Sequence, residues 1–304
     1  MEPLSKQKVA LVLEGGGLRG MFTAGVLDVF LEQGLVGFSH IYGVSAGAIN
    51  GANFKAGQIG RFCRDTLAFR DNPEFMSLAS LALTGNITGR EFLFTKVNAS
   101  LDPFDYAHFN ASPVPFTAVA SDLTFGTAAY LEVSRLPEQM DIIVASSSLP
   151  CLSEIVTWEG RRLLDGGTCD SVPVERALAE GAQQLIVVLT QHRGYRKSPT
   201  YSLMQVARRL YGDYPYYLEA LASRGERYNQ QLDHVFELEA AGVAHVVAPS
   251  APVELDLLEE DGSKLLELYV DGRRMAMGLL QELVGGVASE GRPVVVSACE
   301  EGAN

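Results

Sequence analysis

Residues 8–20 read KVALVLEGGGLRG, and the fold follows from this stretch. Val9–Leu13 is a short, unalternating apolar run closed by glycines, as expected of a parallel strand buried on both faces. Beyond the glycines, Met21–Gln33 sets Val26, Val29 and Phe30 on one helical face and stops at Gly34. His40–Val44 then reads as a second strand and Ala46–Lys55 as a second helix. A β-α-β-α start with short connections predicts a layered α/β fold.

The same opening bears on location. Val9–Leu13 is too short for the core of a signal peptide and runs straight into Glu14, so the expected compartment is the cytoplasm. Four cysteines (Cys63, Cys151, Cys169, Cys299), far apart and without CxxC spacing, read as free thiols in a reducing compartment. The chain has 304 residues, 47% hydrophobic and 20% charged, enough for one sizeable core. No apolar run approaches the length of a membrane-spanning helix. The net charge of −13 argues against nucleic acid as a partner, since binding there needs a basic face. It also argues against anchoring to anionic lipid, though not against brief contact with a membrane surface.

Further along, residues 58–110 read as mixed and mainly helical, with breaks at Pro73, Gly85 and Pro103. Strands are expected at Phe116–Ala120, Ala128–Val133, Ile155–Trp158, Arg162–Leu164, Leu185–Leu189 and Ala244–Ala248. Helices are expected at Val174–Glu180, over Pro199–Glu239 with an interruption near Tyr211–Tyr217, and at Ser263–Val284. With no repeat and no linker, the expected organisation is an N-terminal extension (1–7), one domain (8–287) and a loose tail (288–304).

Gly15-Gly16-Gly17-Leu18-Arg19-Gly20 has the G-x-G-x-x-G form of a dinucleotide-binding loop. That use calls for a carboxylate at the end of the second strand to hold a ribose, and Gly43, Val44 and Ser45 stand there instead. Glu14 would also sit badly beside a pyrophosphate. The same geometry serves an oxyanion hole, because successive glycines turn backbone amides toward one point and the following helix adds its positive end. Close packing at a helix start is the plainer use of such glycines.

Gly43-Val44-Ser45-Ala46-Gly47 matches G-x-S-x-G between a strand and a helix, the setting of a nucleophile elbow. An ordinary α/β-hydrolase fits poorly, because only one strand precedes the strand that leads into Ser45 and none of His40, His108, His192, His234 or His245 stands in a catalytic motif. Ser45 therefore needs another base. Of three Asp-Gly pairs, Asp261 and Asp271 read as solvated surface positions, whereas Asp165 ends a strand and enters Gly166-Gly167. An ordinary aspartate is a weak acceptor for a serine proton, and burial among apolar strands would strengthen it. A plain turn is the alternative for an isolated DGG.

GGGLRG, GVSAG and DGG, in that order, resemble the patatin-like phospholipase family. The likeness extends through KVALVLEGGGLRGMFTAGVLDVFLEQG, IYGVSAGAINGANF, SSSLPCLSEIVTWEGRRLLDGGTCDSVPVERAL and LLELYVDGRRMA, covering residues 8–285. It implies a three-layer α/β/α fold with a largely parallel central sheet. It implies Ser45 as nucleophile and Asp165 as its partner in a dyad without histidine. Gly15, Gly16 and Gly17 would supply oxyanion amides and Arg19 would brace the loop, with Gly20, Gly43, Ala46, Gly47, Gly166 and Gly167 as supporting positions. The implied substrates are acyl esters of phospholipids, lysophospholipids or simpler lipids, hydrolysed with neither metal nor other cofactor. One departure is DGG, where plant patatins carry Asp-Gly-Ala; nothing in the sequence maps an acyl pocket. A small-ester carboxylesterase, a catalytically silent acyl-binding scaffold and a nucleotide-binding module remain as alternatives.

Two further features are open. Seven of the eleven tyrosines (Tyr195, Tyr201, Tyr211, Tyr214, Tyr216, Tyr217, Tyr228) fall in one stretch, which suits a lipid-facing lid or a packing face or oligomer contact. Glu259, Glu260 and Asp261 read as a solvated loop rather than a cation site.

Overall fold

The computed structural model describes residues 8–198 and 201–289; the expected N-terminal extension, Pro199, Cys299 and tail residues 290–304 lie outside them. In chain order the elements are β1 (Val9–Leu13), α1 (Gly20–Glu32), β2 (His40–Val44), α2 (Ala46–Lys55), α3 (Arg61–Phe69) and α4 (Leu78–Thr84). A π-helical segment (Glu91–Leu101) and α5 (Tyr106–Ala111) follow, then β3 (Phe116–Asp122), β4 (Thr127–Glu132), α6 (Met140–Ser146), β5 (Val156–Trp158) and β6 (Arg161–Asp165). The rest is α7 (Val174–Ala179), β7 (Gln184–Val188), α8 (Tyr201–Leu210), α9 (Pro215–Ala222), α10 (Arg224–Ala240), β8 (Ala244–Val247) and α11 (Gly262–Ser289). The segment expected as one interrupted helix over Pro199–Glu239 is thus three helices, and α11 passes the expected boundary at 287.

The strands form one sheet in the order β5-β6-β3-β2-β1-β7-β8, with β4 also paired to β3. Strands β3, β2, β1, β7 and β8 run parallel, while β4, β6 and β5 join antiparallel. Alternate residues of β1 divide two cores. Val9, Leu11 and Leu13 pack with α1, α2 and α11 through Met21, Phe22, Ala48 and Leu268. Ala10 and Val12 pack with α7 and α10 through Val174, Tyr228, Leu232 and Val235. Helices therefore cover both faces of a largely parallel sheet, the three-layer α/β/α arrangement, and the unalternating VALVL run has its physical cause.

On one face α1 and α11 cross with their backbones nearly touching. A Cβ on Gly25 would lie 2.1 Å from the Tyr269 carbonyl oxygen, and one on Gly272 would lie 2.1 Å from that of Phe22. Beside this crossing, Asp271, expected as a solvated surface position, is half-buried: its carboxylate accepts the Ser250 amide and hydroxyl, at 2.9 and 2.8 Å, and pairs with the exposed Arg274. Glu259 is likewise tucked in, accepting the Asp261 amide at 3.0 Å and the Lys264 ammonium at 3.0 Å, so the acidic run is solvated only in part.

Candidate active site

The site is assembled along one edge of β3. β4 pairs with β3 over residues 117–122, and this leaves the opposite edge to be shared by β2 and β6. Val44 of β2 lies opposite Val119, and Asp165 of β6 lies opposite the next residue, Ala120. Because β2 runs parallel to β3 and β6 runs antiparallel, their C-terminal ends point at each other, and Ser45 and Asp165 meet at that step. Such a meeting leaves little room: a Cβ on Gly166 would lie 2.1 Å from the Val119 carbonyl oxygen. Ser146 ties the step together, accepting the Ser45 amide at 2.9 Å and donating to the Val119 carbonyl at 2.6 Å.

Ser45 holds φ 54° and ψ −123°, a conformation that side-chain-bearing residues seldom adopt. It is sustained by the tight passage into α2, where a Cβ on Gly47 would lie 2.4 Å from the Leu13 carbonyl oxygen; Gly43 is crowded in the same way by Ala48. Asn50 fixes the start of this helix against α1 through bonds to the Gly20 and Ala46 carbonyls, at 3.1 and 3.0 Å.

Asp165 is buried. Its Oδ1 accepts the Gly167 amide at 2.8 Å, while Oδ2 has no hydrogen bond of ordinary geometry. Burial pushes its carboxyl above the ordinary range; the Ser45 hydroxyl, the Arg224 guanidinium, the Gly167 amide and the Lys197 ammonium pull the other way, in that order. The Ser45 hydroxyl thus bears on the buried carboxylate without a hydrogen bond of ordinary geometry to it.

The glycine loop lies against the serine. A Cβ on Gly15 would fall 2.9 Å from the Ser45 Cβ, and one on Gly16 would fall 2.6 Å from the Thr190 hydroxyl. Gly17 takes φ +57° with open space beside it. Among the described residues no acceptor takes the amides of Gly15, Gly16 or Gly17, so these donors are free beside Ser45. Arg19 closes the turn with its own amide, bonded to the Gly16 carbonyl at 3.1 Å, but its Nε is buried without a partner. The bracing contact that Arg19 makes to the loop is thus this backbone bond. No histidine lines the cavity onto which Ser45 opens; His40, for one, is stacked on Tyr42 and bonded to Thr117 at 2.8 Å.

Three parts of the site come from the tertiary structure and not from the sequence motifs. First, an apolar cavity runs from Gly17, Ser45 and Ala46 past Ile49 and Ala52 to Phe104, Leu136 and Met140. One wall carries a buried ion pair, Arg61–Asp65 at 3.3 Å, whose guanidinium also bonds Asn98 at 2.8 Å; burial pushes the Asp65 carboxyl up despite Arg61. Second, Glu14, read only as an obstacle to a phosphate, is buried under the glycine loop and accepts the Thr190 amide at 2.6 Å. Third, Lys197 lies near both Glu14 and Asp165, its ammonium 3.8 Å from the centre of the Tyr228 ring; burial, with Arg224 and Arg19, pushes it down to about 7. Glu14 carried a positional hint, a charge ending a buried strand; Lys197 carried none.

The tyrosine stretch is chiefly a packing face. Tyr211, Tyr217 and Tyr228 are buried, Tyr211 and Tyr217 meet edge to face at 5.3 Å, and Tyr216 is exposed. The side chain of Tyr201 lies outside the described residues.

Residues 11–178 match the family model described as patatin-like phospholipase, and residues 214–285 match a domain of unknown function, DUF6363. The uncharacterized protein YjjU of Escherichia coli K12 is 30% identical over 203 residues, covering 62% of this chain and 54% of that protein. The uncharacterized NTE family protein Rv1063c of Mycobacterium tuberculosis H37Rv is 29% identical over 186 residues, covering 60% of this chain and 49% of that one. Lysophospholipase NTE1 of Meyerozyma guilliermondii is 26% identical over 194 residues, covering 61% of this chain and 13% of that protein. The chain thus spans about half the length of the first two and a small part of the third.

Proposed function

The chain belongs to the patatin-like phospholipase family, and from that premise we propose that it is a lipid acyl ester hydrolase of the phospholipase A or lysophospholipase type. The reading is carried by one observation: a strained serine beside a buried carboxylate, under unpaired amides, at the mouth of an apolar cavity.

In this reading the acyl chain lies along the cavity between Ile49, Ala52 and Leu136, which brings the ester carbonyl to Ser45. Ser45 Oγ attacks the carbonyl carbon and Asp165 takes its proton on Oδ2, the oxygen that Gly167 leaves unoccupied. The amides of Gly15–Gly17 hold the oxyanion, the larger contribution where the base is weak. The tetrahedral intermediate then expels the alcohol, which takes the proton from Asp165 and leaves an acyl-serine. A water activated by Asp165 attacks that ester, and the fatty acid departs with Ser45 restored. Burial of Asp165 favours these transfers, because a carboxylate raised above its ordinary range is a better proton acceptor.

Among the described residues no helix is long and apolar enough to cross a membrane. We place the enzyme in the cytoplasm, meeting lipid at a membrane surface. Turnover should be compared on phospholipid, lysophospholipid, monoacylglycerol and p-nitrophenyl esters, with Ser45→Ala and Asp165→Asn alongside. Both variants should be inactive and a fluorophosphonate should label only chains that keep Ser45. Near-normal turnover by Asp165→Asn would refute the dyad. Preference for the shortest esters would favour the carboxylesterase reading, which the same dyad serves.

A further inference from the structure

Helix α10 turns a polar stripe inward. Arg224, Arg227, Tyr228 and Gln231 stand at i, i+3, i+4 and i+7, hence on one face. Arg224 Nε donates to the Gly167 carbonyl at 2.7 Å, and Arg227 Nη1 donates to the Thr168 carbonyl at 2.8 Å. Gln231 donates to Asp170 Oδ1 at 2.6 Å and accepts the Ser171 amide at 3.2 Å. These bonds fall on residues 167–171, the turn directly behind Asp165, while Arg227 also donates to the Ser223 hydroxyl at 2.7 Å and the Ala220 carbonyl at 3.4 Å. From the same face Tyr228 donates to Glu14 Oε1 at 2.7 Å. The other Glu14 oxygen accepts the Thr190 amide, and the Thr190 hydroxyl donates to the Gly15 carbonyl at 2.8 Å.

Turning charged and polar side chains inward costs desolvation that an apolar stripe would avoid, unless they hold something in place. Here they hold two loops that come from distant parts of the chain and must agree in position to a fraction of an ångström. Arg224 also brings positive charge to Asp165. The other groups acting on that carboxylate are the Ser45 hydroxyl at the start of α2, the Gly167 amide and Lys197 from the loop after β7, and the carboxylate in turn acts on the Tyr217 hydroxyl on α9.

We propose that α10, which lies within the segment matching the domain of unknown function, is a positioning element of the catalytic site. Arg224 fixes the turn behind Asp165 and sets a cation beside the carboxylate, while Tyr228 fixes the glycine loop through Glu14. The inference rests on Ser45 and Asp165 being catalytic. Arg224, Arg227, Tyr228 and Gln231 are positioning residues, since none of them lines the cavity.

The test uses the full chain, p-nitrophenyl butyrate and a fluorophosphonate probe, with folding followed by circular dichroism. Wild type must first turn over the ester with labelling that depends on Ser45; if it does not, the proposed function fails and the role of α10 falls with it. Given that activity, Arg224→Gln should lower kcat by roughly tenfold to a hundredfold with KM little changed. It should also move the acid limb of the kcat profile to higher pH, because a cation stabilising the carboxylate is gone. Arg224→Lys should restore the acid limb but not the full kcat, since charge returns without the planar donor to Gly167. Tyr228→Phe should slow labelling and lower kcat with the acid limb unmoved. Glu226→Gln, on the exposed side of α10, serves as the control at wild-type rates. A folded Arg224→Gln with wild-type kcat and pH profile would overturn the proposal. Should that variant not fold, wild-type kcat in Arg224→Lys together with wild-type labelling in Tyr228→Phe would overturn it equally.

Discussion

Ser45 and Asp165 terminate two strands that approach end to end along a single edge of β3, opposite the consecutive residues Val119 and Ala120. Neither residue is brought there by a flexible loop. Their separation is set by one step of strand register and closed by the glycine that follows Asp165.

The backbone of Ser45 makes the first prediction. Its positive φ stores on the order of 1–3 kcal/mol of strain. Glycine would release this at an entropic cost of about 0.5–1 kcal/mol, whereas alanine would keep the strain. Ser45→Gly should therefore be inactive and melt above Ser45→Ala in thermal denaturation. Equal melting temperatures would mean that the elbow is not strained.

Asp165 links pH to stability. Burial raises its carboxyl above the ordinary 3.8, so the folded state holds that proton more tightly than the unfolded chain does. Stability from this group is greatest when it is protonated and falls as pH rises from 3.8 through the raised folded value. Asp165→Asn keeps an oxygen for the Gly167 amide and removes the buried charge. The variant should lose turnover yet unfold at higher urea than wild type near neutral pH, with the gap closing toward pH 3.8 and below. A gap independent of pH would exclude ionised Asp165 as its source.

Gly166 tests the end-to-end meeting itself. Its φ is not in the left-handed region, so alanine there adds only the 2.1 Å clash with the Val119 carbonyl. Gly166→Ala should cost about 1–3 kcal/mol by overpacking and, by pushing the end of β6 off β3 and so moving Asp165 relative to Ser45, depress kcat more than stability loss explains. Wild-type kcat in a folded Gly166→Ala chain would show that this spacing is not critical.

Ala52 lines the cavity one side of the helix beyond Ser45 and Ile49. Ala52→Leu should narrow it and lower kcat/KM for p-nitrophenyl palmitate by roughly tenfold or more, while the butyrate ester, ending short of it, changes little. Parallel loss on both esters would place the acyl chain elsewhere.

What could be read along the chain was whatever depends on neighbours in sequence. The buried strand, the glycine loop, the elbow and the DGG turn each state their backbone demands within a few residues, because glycine is needed where main chains touch or φ turns positive. Asp271 was misjudged for the converse reason. Its Asp-Gly pair looks solvated locally, but the Ser250 amide and hydroxyl that bind its carboxylate come from outside the helix and reach it only after α11 has docked. The tyrosine stretch was ambiguous because aromatic side chains suit interfaces and cores alike, and docking against neighbouring elements buried Tyr211, Tyr217 and Tyr228.

The sequence by itself determined a layered α/β chain with its candidate residues at 15–17, 45 and 165, since strand burial and tight turns are short-range properties. Tertiary structure alone decided that β2 and β6 share an edge of β3, that a cavity opens beside Ser45, and that α10 reaches both loops from behind. These are contacts between segments tens to hundreds of residues apart, and local pattern says nothing about which distant backbone or side chain will fill the space beside a given residue.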